Sequence, residues 1–149
     1  MPVTRYYAID EANAALPEVE RILIALRDQR EELINLRDRV VAASPPDDET
    51  PTPAAAEKIR LLRLGMQGLI DQMQAGVARL VEMDITLRDI PSGLIDYPAL
   101  LAGRPIWLCW RLGENAVEHW HPHDEGFDSR RPLGELPTGL GHSSGTPAA

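Results

Sequence analysis

The stretch 54–84, AAAEKIRLLRLGMQGLIDQMQAGVARLVEMD, decides the fold. Ile59, Leu62, Met66, Leu69, Met73, Gly76, Leu80 and Met83 alternate by three and four residues without a miss, the spacing of one face of an α-helix. Upstream, Leu16, Val19, Leu23, Leu26, Leu33 and Val40 form a second such stripe, with Arg30 and Arg37 completing it. That predicts a first helix running from Asp10, as N-cap with Glu11 in the first turn, to about Val41. Pro17 lies beyond the first turn and predicts a kink or break there. Between the stripes, 44–53 (SPPDDETPTP) is acidic and proline-rich and reads as an exposed loop. Two stripes joined by a loop predict a long antiparallel helical hairpin with coiled-coil-like packing over about 10–84. At 1.5 Å per residue, each helix is about 45–50 Å long. Gly65, Gly68 and Gly76 are candidate close-approach points between the helices.

Working outward, the period changes after Asp84. Ile85–Ile90 alternates as a strand, Pro91-Ser-Gly93 is a turn, and Leu94–Tyr97 is a second strand that Pro98 is expected to stop. Ala99–Gly103 reads as a turn or helical fragment. Pro105–Arg111 and Ala116–His121 read as a hairpin across Gly113-Glu-Asn115. The expected class is α+β: the helical hairpin, then a small antiparallel β unit over about 85–133, in a single domain 1–133. Residues 134–149, rich in Gly, Pro, Ser and Thr, read as a disordered tail.

Apolar residues off the main stripes set a further expectation. Ile22 and Ile34 on the first helix, and Leu61, Leu64, Ile70 and Val77 on the second, need a cover that two helices alone do not provide. Either the β unit covers them or the hairpin meets a second copy, as a homodimer or other homo-oligomer through the helices.

Composition excludes several classes. The formal net charge of -8 argues against a nucleic-acid partner, which needs Lys and Arg to displace counterions. One cysteine excludes an internal disulfide. No apolar run has the length of a membrane span, and 1–7 lacks the apolar run of a signal peptide, so no membrane and a cytoplasmic location are expected. There is no GxGxxG, P-loop, GxSxG or HExxH motif.

Chemically versatile side chains concentrate in Trp107–Phe127. All three tryptophans, the single cysteine and phenylalanine, and three of the four histidines lie there. Three readings compete. Cys109 with His119, His121 or His123, and Glu118 or Asp124 nearby, offers thiolate, imidazole and carboxylate ligands for zinc or another transition metal. Cys109 as a nucleophile, with His121 as base and Asp124 orienting it, is the second. The third is a groove lined by Trp107, Trp110, Trp120, Arg111, His121 and Arg130 for a small anion or a peptide. Against all three stands ordinary packing, with Cys109 a small buried hydrophobe and the aromatics capping the helices.

Hairpin register decides among them. A three-residue turn sets Cys109 opposite His119 and Trp107 opposite His121. A two-residue turn sets Leu108 opposite His119, Cys109 opposite Glu118 and Trp107 opposite Trp120. The second gathers Ile106, Leu108, Trp110 and Val117 on one face, the better core, and is the preferred expectation.

Three blocks carry a family resemblance: Tyr7-Ala-Ile-Asp-Glu-Ala-Asn-Ala-Ala-Leu-Pro17, Gly93-Leu-Ile-Asp-Tyr-Pro98, and Cys109-Trp-Arg-Leu-Gly-Glu114 followed by Trp120-His121, Asp124, Gly126-Phe127 and Arg130. Together they resemble DUF2203, small bacterial proteins with no assigned activity. The resemblance implies an aromatic where this chain has His119, and no histidine at His123, which leaves Cys109, Arg111, Glu114, Trp120, His121, Asp124 and Arg130 as shared. The leading functional expectation is an interaction or binding protein that assembles through its helices and binds at Arg111, Glu114, Trp120, His121, Asp124 and Arg130. The alternative is a metal-binding protein or metal-dependent enzyme using Cys109, His121 and Asp124.

Overall fold

A computed structural model of the chain describes residues 5–135. Two long helices, α1 (Ile9–Ala43) and α2 (Pro53–Glu82), are followed by β1 (Thr86–Asp89), β2 (Leu94–Leu101), β3 (Arg104–Arg111), β4 (His119–Pro122) and β5 (Arg131–Pro132). Short 3-10 turns occupy Phe127–Ser129 and Leu133–Glu135. Of the expected disordered tail, 134–149, Gly134 and Glu135 lie in the second of these turns, and the rest falls outside the described residues. The strands form one antiparallel meander in the order β1-β2-β3-β4-β5. The class is α+β. Among the described residues no helix is long and apolar enough to cross a membrane.

The helices pack antiparallel as the stripes predict. Leu16, Val19, Leu23 and Leu26 of α1 and Leu80 of α2 are buried. Glu18 pairs with Arg79 through two hydrogen bonds, of 2.7 and 3.1 Å. Gly76 faces Leu26 and Gly65 faces Leu36, each so closely that an added Cβ would sit 3.2 Å from the leucine. Gly68 has no such neighbour. α2 opens on Thr52, whose Oγ1 accepts from Ala55 N–H at 3.2 Å, with Pro53 at the first helical position.

Two expectations for α1 need correction. Its N-cap is Ala8, not Asp10. The cap works in reverse: the Glu11 carboxylate accepts the Ala8 N–H at 3.0 Å, the return half of a capping box. The helix also runs unbroken through Pro17, its inward face being anchored on either side by Leu16 and Val19, at 7% and 0% exposure. Pro17 itself faces solvent and withholds one N–H from the Asn13 carbonyl. Pro17→Ala is therefore expected to stabilise the protein by about 1–3 kcal/mol, read as a higher urea midpoint; an unchanged or lower midpoint would count against this account of α1.

β2 also departs from expectation. Pro98 does not stop it; the strand continues to Leu101, and only Ala102 and Gly103, both with positive φ (50° and 79°), make the turn into β3. Antiparallel pairing explains the tolerance. Pro98 stands opposite Trp107, while its carbonyl points the other way and accepts the Tyr7 N–H at 2.8 Å. Its missing N–H faces that same side, so no bond to β3 is lost. Tyr7, fully buried, also donates its hydroxyl to the Met83 carbonyl at 2.6 Å and packs edge-on against Tyr97, pinning the sheet to the helix ends.

Gly93 turns β1 into β2 at φ +66°. A Cβ there would lie 2.6 Å from the Leu112 Cβ, while the Leu112 N–H bonds the Gly93 carbonyl at 3.0 Å. Gly93→Ala combines left-handed backbone with a clash that flexible atoms do not relieve. We expect a loss of about 2–4 kcal/mol by thermal or urea unfolding; a loss under about 1 kcal/mol would contradict the geometry.

Candidate metal centre

The sheet has two unlike faces. Ile95, Tyr97, Ala99, Ile106, Leu108, Trp110 and Trp120 face the helices and join the core. The alternate residues Asp96, Trp107, Cys109, His119 and His121 project from the other face. The register puts them together: Asp96 opposite Cys109, Cys109 opposite His119, and Trp107 opposite His121.

This is not the register preferred from the sequence. Leu108 stands opposite Trp120, not His119. The reason lies at 112–118, a loop rather than a tight turn. Its Glu114 accepts the Arg111 N–H at 2.7 Å through its carboxylate and the Trp110 indole N–H at 3.2 Å through its carbonyl. Val117 reaches the core from this loop, 2% exposed, with its N–H on Asn13 Oδ1 at 2.7 Å. It was counted as a strand residue; outside the strand, it places no constraint on register.

Asp96, Cys109 and His121 are each buried, at 2%, 1% and 1% exposure, and their ligand atoms all lie within 4.8 Å of one another. His121 Nδ1 is 3.0 Å from the Pro122 carbonyl. A carbonyl only accepts, so Nδ1 donates to it, and Nε2 faces Asp96. Both Asp96 oxygens lie 3.1 Å from Nε2. Asp96 is held in turn by Arg88 Nε, which donates to Oδ2 at 2.8 Å; the Arg88 guanidinium lies over Trp107, 5.0 Å from the ring centre.

The orientation separates the chemical readings. In a nucleophilic relay the carboxylate holds one imidazole nitrogen and the other faces the thiol. Here Asp96 faces Nε2 and the Pro122 carbonyl holds Nδ1, so each ring nitrogen already has a partner other than the thiol. Burial, and then the Asp96 carboxylate, push the Cys109 thiol up to about 12, with Arg130 opposing. A thiol so protonated is a weak nucleophile at neutral pH. Three groups aimed at one point, with their far sides held by Pro122 and Arg88, is the pattern of metal ligands with outer partners.

Arg130, Glu114 and Phe127 stack up behind Cys109. Arg130 Nη1 lies 3.9 Å from its sulfur. Arg130 is clamped by Glu114 through bonds of 3.1 and 2.5 Å, and its guanidinium lies 4.5 Å from the centre of the Phe127 ring. Burial pushes the Glu114 carboxyl up, but the hydrogen bonds from Arg130 and from Arg111 N–H outweigh it and hold the group below the usual carboxylate range. His119 Nδ1 approaches Glu114 at 3.6 Å.

The expected site residues thus divide. Cys109 and His121 meet. Asp124 lines the same cavity of about 290 Å³, exposed, outside the converging group. Glu114 and Arg130 stand behind Cys109, and Arg111 lies exposed over Phe127. Trp120 is on the opposite face, in the core, with Arg131 outside its ring. Asp96 and Arg88 were missed. Asp96 had a signal: it is the lone acid in the apolar run Leu94-Ile-Asp-Tyr-Pro-Ala-Leu-Leu101, and a carboxylate buried in a strand needs a partner. A larger depression of about 640 Å³ lies at the far tip of the hairpin, lined by the proline loop, Arg60 and Arg63; it gathers no such group of ligands.

The profile of an uncharacterized conserved protein family, DUF2203, matches residues 5–133. The chain belongs to the DUF2203 family. No curated protein and no solved structure gives a significant match. In this DUF2203 chain the match spans both helices and all five strands, and so the whole of the Asp96–Cys109–His121 group.

Proposed function

We propose that this DUF2203 protein binds a divalent transition metal through Asp96, Cys109 and His121. One observation carries the reading: a carboxylate, a thiol and an imidazole from three adjacent strands converge within 4.8 Å, with the imidazole held by the Pro122 carbonyl at Nδ1 and its Nε2 turned to the carboxylate. Metal–ligand bonds of about 2.0–2.3 Å put tetrahedral ligand atoms about 3.3–3.8 Å apart. The 3.1 Å separation of Nε2 and the Asp96 oxygens is already close to that. The donor set of sulfur, nitrogen and oxygen suits zinc, cobalt or ferrous iron better than calcium or magnesium. Coordination would also displace the proton that burial holds on the Cys109 thiol. Elemental analysis of untagged protein reconstituted with zinc and desalted tests this. About one equivalent per chain is expected; less than about a tenth would contradict it.

The helical hairpin supports a second, separate reading as an assembly surface. Val41, Leu61, Leu64 and Val81 are 54–68% exposed, and Leu33, Ile70, Met73 and Val77 line an apolar groove between the helices. A second copy covering them would form a four-helix arrangement. Light scattering is expected to give twice the chain mass at micromolar concentration; a monomer would contradict it.

A further inference from the structure

We infer that the metal centre is open-sided: the protein fills three positions, and a small oxygen or nitrogen donor, water at rest, takes the fourth from the adjoining cavity. This rests on the metal reading above and adds what that metal meets. Structural zinc sites are closed by four protein ligands, whereas reactive ones keep three and leave a position for water or substrate. Among the described residues no fourth His, Cys, Asp or Glu joins the group. The nearby candidates are engaged elsewhere. The His123 ring stacks flat on Trp107, 4.7 Å between centres and 14° between planes. Glu125 pairs with Arg131 at 3.6 Å, and Glu114 is held by Arg130.

All three ligand residues line one cavity of about 290 Å³, walled on its far side by 123–127. That is just below the ~300–1,000 Å³ of sites for drug-sized molecules, so the occupant is smaller. Leu94 and Phe127 give the cavity an apolar side and Asp124 an acidic one. With a divalent ion, the charges of Asp96, a Cys109 thiolate and Arg88 sum to about +1, which Asp124 balances. The site therefore suits a neutral or singly anionic donor carrying a short apolar portion, and disfavours polyanions.

The test loads the full chain with cobalt(II) and follows its visible bands while azide, then imidazole, is added. The expected result is a saturable change with each probe, in the parent protein and in Asp124→Ala alike. Bands indifferent to both probes would overturn the open position while leaving the metal centre standing. A parent protein indifferent to the probes whose Asp124→Ala variant responds to them would show that Asp124 closes the fourth position, and overturn it equally. Failure of cobalt to bind would remove the metal centre itself, and this inference with it.

Discussion

His121→Ala is expected to lower zinc affinity by at least about 10³-fold, well beyond the ~10–100-fold typical for loss of an outer partner. His121 is nearly inaccessible to solvent, and its geometry is fixed from both sides, by the Pro122 carbonyl at 3.0 Å and the Asp96 carboxylate at 3.1 Å. Nothing nearby replaces it: His119 turns to Glu114, and His123 stacks on Trp107. Cys109→Ser, which exchanges a thiolate for a hydroxyl, should weaken binding by a similar order. Glu114→Gln reaches Cys109 through Arg130 and should cost about tenfold. Competition against a chromophoric zinc chelator measures all three, with circular dichroism checking that each variant folds. An affinity for His121→Ala within a factor of three of the parent would count heavily against His121 as a ligand. Asp96→Ala carries a second readout. It strips a buried acceptor from His121 and Arg88, and should cost about 2–3 kcal/mol of stability besides the metal. Arg88→Ala should cost much less, because Arg88 is 42% exposed and its charge is screened by water.

Trp110→Ala should destabilise the fold by about 3–5 kcal/mol. The indole is 1% exposed, on the β3 face that meets the helices. Its N–H also donates to the Glu114 carbonyl at 3.2 Å. That bond holds the 112–118 loop, whose Glu114 side chain clamps Arg130 beside Cys109. Core and centre are thus joined through one side chain, and the variant should lose metal affinity before it unfolds. Trp107, half-buried on the outer face against His123, is the control, with an expected cost of about 1 kcal/mol. Urea unfolding gives both values; equal losses would contradict the two-faced sheet.

The hairpin was legible because helical periodicity is local: the stripe from Ile59 to Met83 needs no partner to be read. Its ends were less so. Asp10 is a better cap by side-chain chemistry than Ala8, yet Glu11 reaches back from inside the helix to serve Ala8, which no residue-by-residue preference reveals. Cys109 and His121 stood out by type alone. Asp96 did not, because its role depends on β2 lying beside β3 and on the register of each pair. That register follows from how Glu114 and Asn13 satisfy the loop's backbone, contacts that are remote or irregular and leave no period in the sequence. Trp120 was misplaced for the same reason: a shift of one residue in pairing moves every side chain of a strand to the other face.

X-ray absorption at the metal edge of the zinc-loaded protein tests the central claim most directly. The account predicts one sulfur scatterer at about 2.3 Å beside nitrogen and oxygen at about 2.0–2.2 Å, with the sulfur shell lost in Cys109→Ser. A shell of nitrogen and oxygen alone in the parent protein would place the metal elsewhere and contradict the Asp96–Cys109–His121 centre.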